Sequence, residues 1–185
     1  MPTTSFQINL DKTRLVPIST EELDQLRELS IHTFEEAFAE ANTKEDMRLY
    51  TKSAFSQKQL LQEMQDPDIT FYFLKQQDIL LGYCKIKRGL PSAVREKGPA
   101  LEICRLYVKQ TFQKQGLGQW MLAQIIAKAR QKSLDFVWLG VWSQNPDAIR
   151  LYERQGFEKI GSYTFMLGRD AQTDFIMKLR LNKAS

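Results

Sequence analysis

Gln113-Lys114-Gln115-Gly116-Leu117-Gly118 stands between a strand-like run and a helix-like run. Successive backbone amides at such a helix start, with glycines allowing close approach and the helix dipole favouring negative charge, form a cradle for an anion such as a pyrophosphate. A Gly-x-Gly before a helix is also an ordinary turn, so both readings stand at this point. The chain lacks the glycine spacing of a dinucleotide fingerprint and the Lys-Ser/Thr of a P-loop. Glu102 and Cys104 are two apart on one strand and so share a face. Asn145 precedes Pro146 at a helix start, a capping position that asparagine favours. Tyr152 falls at helical spacing from Ala148 and Leu151, the place of a core aromatic. Glu35, Glu36, Glu40, Glu45 and Asp46 form an acidic segment, either a solvated face or an electrostatic mouth for a cation.

These residues need elements to hold them. Arg14 to Ile18 reads as a short strand, and Ser19 with Glu22 has the S-x-x-E spacing that caps a helix. The helix that follows carries Leu23, Leu26, Phe34, Ala37 and Phe38 as its apolar stripe. Thr43 with Asp46, and Ser56 with Gln59, mark two further helix starts before Asp66-Pro67-Asp68 breaks the pattern. Ile69 to Lys75 and Ile79 to Lys87 read as an antiparallel hairpin split by Gln76-Gln77-Asp78. Gly89 to Pro99 reads as a loop. Leu101 to Val108 is a strand, Lys109 to Gly118 a turn, and the next helix keeps Leu122, Ile125, Ile126 and Ala129 on one side. Phe136 to Trp142 is a nearly continuous apolar run, the pattern of a strand covered on both faces by helices. A helix from Pro146 to Gln155 and strands near Phe157 to Phe165 and Asp174 to Leu181 close the order. The sum is a mixed α/β sheet preceded by a helical segment, with no internal repeat.

At 185 residues the chain has the length of one domain, 1–185, able to bury a core without disulfides or metals, and no metal site is expected. The 43% hydrophobic and 26% charged composition is that of a soluble globular protein. No apolar stretch is long enough to span a membrane, and Met1 to Leu10 lacks the basic start and apolar block of an export signal, so a cytoplasmic location is expected. Cys84 and Cys104 sit in apolar strand-like runs as reduced thiols. The net charge of +4 suits an anionic ligand, but no Lys/Arg block with interleaved aromatics supports nucleic-acid binding.

The resemblance comes from two motifs in order. Q-x-x-G-x-G, following a strand that ends Leu106-Tyr107-Val108, and Asn145-x-x-Ala148-x-x-Leu151-Tyr152-x-x-x-Gly156-Phe157 are similar to the acetyl-CoA half of the GNAT superfamily of N-acetyltransferases. Thr33 to Phe38, Asn42-Thr43, Glu45 to Met47, Tyr50, Ala54-Phe55, Trp138 to Trp142 and Gln172 to Met177 extend the likeness to the bacterial PaiA-type spermidine/spermine N-acetyltransferases. The resemblance implies a mostly antiparallel sheet flanked by helices, acetyl-CoA as cosubstrate, and a small primary amine, a polyamine, as acceptor, attacked directly in a ternary complex. A homodimer is compatible with it.

Under that resemblance Leu106 and Val108 offer backbone groups to the pantetheine arm. Gln113, Lys114, Gln115, Gly116, Gly118 and Gln119 surround the pyrophosphate, and Asn145 approaches the pantetheine besides capping its helix. Tyr152 becomes the proton donor to the departing thiolate. An ammonium of pKa near 10 is not a nucleophile at neutral pH, so a base must take its proton. Relatives often carry glutamate where this chain has Cys104, which leaves Glu102 as the base, acting through water. A covalent route through Cys104 would need a base, and the chain's one histidine, His32, lies in a surface-type helix without a triad partner. Two rivals remain open from sequence: acetylation of a protein N-terminus or lysine, and a non-catalytic acetyl-CoA-binding regulator.

Overall fold

The computed structural model describes residues 7–90 and 98–181. Most of the expected loop from Gly89 to Pro99, and the start of the N-terminal segment, lie outside those residues. Among the described residues seven strands form one sheet in the order β1-β2-β3-β4-β5-β7-β6. In chain order they are β1 (Thr13–Pro17), β2 (Ile69–Gln76), β3 (Ile79–Arg88), β4 (Ala100–Val108), β5 (Phe136–Trp142), β6 (Glu158–Leu167) and β7 (Asp170–Arg180). Only β4 and β5 run parallel; every other neighbouring pair is antiparallel. Helices α1 (Leu23–Phe38), α2 (Lys44–Ala54) and α3 (Gln57–Gln65) precede β2, α4 (Leu117–Gln131) joins β4 to β5, and α5 (Pro146–Arg154) joins β5 to β6.

The helix starts follow from their caps. Ser19 and Glu22 form the expected capping box, and Thr43 and Ser56 accept from the amides of Asp46 and Gln59 at 3.1 and 3.2 Å. Each such cap stabilises its helix by about 1 kcal/mol. One boundary differs from the sequence reading. The turn after β4 contains a short 3-10 segment at Gln110–Phe112, and α4 already starts at Leu117, so Gly118 belongs to its first turn.

The sheet separates two cores. On one face Met121, Leu122, Ile125 and Ala129 of α4 pack on Leu101, Ile103 and Val137, with α5 alongside. On the other, Leu26, Leu29 and Phe34 of α1 join Phe55, Leu60, Phe71 and Phe73. The α1 stripe therefore includes Leu29, which the sequence reading passed over, while Ala37 is exposed. β5 also departs from expectation. α4 covers one of its faces, but Phe136 and Trp138 on the other pack with Ala100, Ile176 and Leu90, and the Trp138 indole donates to the Gly89 carbonyl at 2.9 Å. An apolar run records that a strand is covered, and here the loop after β3 supplies part of the cover.

Candidate active site

β4 and β5 pair only from Ala100 with Phe136 to Ile103 with Leu139. Past that point their ladder stops, although β4 continues to Val108 and β5 to Trp142. A bulge lies where they part. Opposite β3, Lys85 faces Arg105 while Ile86 faces Ile103, which leaves Cys104 as an extra residue in β4. Such an insertion bends a strand and increases its twist. Between the diverging ends lies a cavity of about 290 Å³.

Its walls come from four directions. Phe34 and Phe38 of α1, Tyr50 of α2, Tyr152 of α5 and the β6–β7 hairpin all face it. The hairpin is tied down on the α1–α2 segment. Gln172 donates to Asn42 at 2.6 Å, the Arg169 amide donates to Asp46 at 2.8 Å, and the Phe165 ring lies 5.5 Å from that of Tyr50. At Gly168 the two segments approach so closely that a Cβ would sit 2.6 Å from the Cα of Asp46.

The cavity holds two carboxylates, Glu102 and Asp174. Burial pushes the Glu102 carboxyl up, against the opposing pull of Lys85 and a hydrogen bond with Cys104. Burial also raises Asp174, whose Oδ2 accepts from the Tyr163 hydroxyl at 3.2 Å. Beneath them a buried cluster joins α3 to the sheet: Glu63 meets Lys85 at 2.8 Å and Arg105 at 3.7 Å. Burial, reinforced by Glu102, pushes the Cys104 thiol up to about 12, and Tyr152 is likewise raised by burial to about 12. Cys104 is thus a protonated thiol at neutral pH, and His32 is exposed, paired with Glu36 at 3.1 Å, and does not line the cavity.

Glu102, Leu106, Val108, Gln113, Asn145 and Tyr152, all singled out from sequence, line this one cavity. The Val108 carbonyl is already engaged, accepting from the Gln113 side chain at 2.9 Å. Asn145 caps α5 by accepting from the Ala148 amide at 3.1 Å. Lys114, Gln115, Gly116, Gly118 and Gln119 do not line the cavity; they form the turn into α4 and its first residues, beside it. Gly116 caps α4 with φ of 81°, a left-handed conformation that a Cβ disfavours. Gly118 has ordinary helical backbone, so the strain argument for glycine applies at Gly116 alone. The acidic segment does not reach the cavity either: Glu36 accepts from the Gln110 amide at 2.9 Å, Glu45 pairs with Arg48 at 2.8 Å, and Asp46 holds Thr43 and Arg169. Its carboxylates are surface and tethering groups rather than a mouth.

The Acetyltransferase (GNAT) family model matches residues 23–157. The chain belongs to the GNAT acetyltransferase family. Among its relatives is an uncharacterised N-acetyltransferase from the pepI 3′ region of Lactobacillus delbrueckii subsp. lactis, 32% identical over 91% of this chain and 97% of the relative. Another, from Mycobacterium tuberculosis, is 25% identical over 83% of this chain and 94% of its own. The solved structure of PaiA N-acetyltransferase from Thermoplasma acidophilum in complex with coenzyme A superposes with a TM-score of 0.72 at 20% identity, covering 91% of this chain and 99% of that one. The ribosomal-protein-S18-alanine N-acetyltransferase of Escherichia coli gives 0.65 at 19% identity, covering 94% and 96%. At these identities the structural likeness concerns the fold alone.

This GNAT enzyme is an acetyl-CoA-dependent N-acetyltransferase. Its surface fits that cosubstrate: the strand ends diverge, and a Cβ built on Gly116 or Gly118 would meet nothing nearer than 3.7 Å, so the turn is open outward. No helix among the described residues is long and apolar enough to cross a membrane. Tyr163 and Asp174 also line the cavity, and no motif marks a role for either in the sequence. An aspartate beside Phe175-Ile176-Met177 is a signal, since strands are depleted in aspartate, but its partner on the neighbouring strand emerges only with the register.

Proposed function

We propose that residues 1–185 act as a single catalytic domain that acetylates a primary amine of a small polycation, a polyamine such as spermidine or spermine. The observation that carries this reading is the tie between the β6–β7 hairpin and the α1–α2 segment. It holds the hairpin against one wall of a recess lined by aromatic rings and two carboxylates, a shape that suits a small acceptor better than a polypeptide. The resemblance of Thr33 to Phe38, Tyr50 and Gln172 to Met177 to PaiA-type sequences supports the same acceptor class.

Acetyl-CoA supplies an acetyl group already activated as a thioester. Leu106 and Val108 on the diverging end of β4, with Asn145, would hold its pantetheine arm. Gln113, Lys114, Gln115, Gly116, Gly118 and Gln119 at the positive end of α4 would hold its pyrophosphate. Glu102 takes the proton from the acceptor's ammonium, directly or through a water, because an amine attacks only when neutral. Burial raises the carboxyl of Glu102, which makes it a stronger base than an exposed glutamate. Tyr152, which lines the same cavity and keeps its proton at neutral pH, would donate to the departing thiolate. Attack is direct, since Cys104 is neither ionised nor next to a histidine.

Thiol release from acetyl-CoA in the presence of spermidine, spermine, hexylamine, amino acids and basic peptides tests the reading. The expected outcome is highest kcat/KM with the polyamines. Equal kcat/KM for spermidine and hexylamine would remove the polyamine assignment, and preference for a peptide would replace it.

A further inference from the structure

Asp174 interrupts the inward side of β7 with a charge that is 8% exposed. One of its oxygens accepts from Tyr163, while Oδ1 is buried and has no hydrogen-bond partner among the described residues. None of the ion pairs among those residues involves Asp174, whereas Glu63 has both Lys85 and Arg105. A buried carboxylate oxygen left unpaired is costly, and buried charges are as a rule matched by a partner. Asp174 lines the cavity, so the missing partner has an open route to it.

Tyr163 fixes the carboxylate in place. It sits directly across from Asp174 in the β6–β7 register, and its hydroxyl lies against Gly140 of β5, where a Cβ would collide with it. The absent side chain at position 140 is what lets the phenol reach Asp174. The two cavity carboxylates stand at different levels of β5: Glu102 faces Trp138, and Asp174 faces Trp142. Four strand residues separate those levels, a span of roughly 13 Å. Several methylenes can bridge it, and a second nitrogen can then sit away from the reacting one.

We infer that Asp174, oriented by Tyr163, is the counter-ion for a second, non-reacting ammonium of the acceptor, and therefore selects a di- or polycation over a monoamine. The inference rests on the polyamine reading and gives it a specificity residue distinct from the proposed base. It also has a stability signature. Burial raises the Asp174 carboxyl, so the fold favours its protonated form, and the contribution of this group to stability falls as pH rises from the unfolded value through the folded one. In its ionised form the carboxylate is a load on the free enzyme, which an amide relieves.

The test compares the parent enzyme, Asp174→Asn and Tyr163→Phe on spermidine and hexylamine, with acetyl-CoA affinity and Tm measured alongside. Asp174→Asn is expected to raise KM for spermidine by roughly 10- to 100-fold, the range of a hydrogen-bonded charge. Uniform binding contacts act on KM, so kcat, KM for hexylamine and Kd for acetyl-CoA should each stay within about threefold. Tm should hold or rise. Tyr163→Phe, which keeps the ring and loses the donor, should show the same acceptor-selective pattern at smaller size. KM values for both acceptors moving together, or an unchanged spermidine KM, would overturn the assignment; should Asp174→Asn not fold, Tyr163→Phe decides by the same criteria. A parent without polyamine preference overturns the polyamine reading and this inference with it. A parent that prefers spermidine, beside variants that keep the preference, overturns only the inference.

Discussion

Tyr152 illustrates how burial changes a role that residue type suggests. With its phenol pushed to about 12, it holds its proton throughout the neutral range. A thiolate whose parent thiol has a pKa of about 8.5 is a weaker base than that phenolate, so outright transfer runs uphill. The phenol then acts mainly by donating a hydrogen bond to the charge that grows on sulfur. A hydrogen bond to a charged group is worth about 1.5 to 3 kcal/mol, so Tyr152→Phe should lower kcat by roughly 10- to 100-fold. Its ring packs on Phe157 at 5.8 Å in either case, so acetyl-CoA affinity and Tm should change little. Single-turnover rates and a binding titration measure both; a kcat within about twofold of the parent would make Tyr152 a packing residue. The motifs supplied the roles of Tyr152 and Asn145, and the need for a base beside Cys104 supplied that of Glu102. Asp174 and Tyr163 stayed hidden because their pairing depends on which residues of two strands stand opposite one another.

The start of α4 separates two uses of glycine within one turn. Gly116 has a backbone that resists any side chain, so its replacement mixes folding strain with ligand exclusion. Gly118 lies in helical backbone, and a Cβ there would make only an ordinary 3.8 Å contact with Leu151. Gly118→Ala should therefore fold and gain helix propensity of roughly 0.8 to 1.0 kcal/mol, while its methyl intrudes where the pyrophosphate would sit. The expected result is a higher Tm with acetyl-CoA bound at least about tenfold more weakly, a loss near 1.4 kcal/mol. Calorimetric titration checks it, and parental affinity would move the anion cradle elsewhere. Caps and turns were legible at this scale because each is a local hydrogen-bond requirement written in a few adjacent residues. The cover of β5 was not, since Trp138 finds Gly89 across the sheet, and neither was the boundary of α4, where Lys109 to Phe112 form a tight turn of their own.

Across the whole molecule the sheet is the partition between two cores, and α3 is bound to it through charge as well as apolar contact. Glu63 is 12% exposed, Lys85 10% and Arg105 11% at the side chain, and the guanidinium also lies 4.7 Å from the Phe55 ring centre. Removing the one anion leaves two cations buried without it. Glu63→Ala should cost about 3 to 5 kcal/mol by chemical denaturation, whereas replacing an exposed partner such as Glu45 should cost less than about 1 kcal/mol. Similar losses for both would mean that water already reaches the cluster. The order of elements and the mixed sheet were readable from periodicity and breakers, but a three-residue cluster drawn from α3, β3 and β4 has no footprint in any one segment. The bulge at Cys104 has a bearing on descent. Leu101 and Ile103 face the α4 side and so do Leu106 and Val108, an arrangement that requires one extra residue between them. Exchanging the thiol for another small side chain would alter one wall of the cavity; losing the codon would turn Arg105 and Tyr107 into the α4 core and Leu106 and Val108 out of it. At this position chain length, more than residue identity, is what inheritance has to preserve.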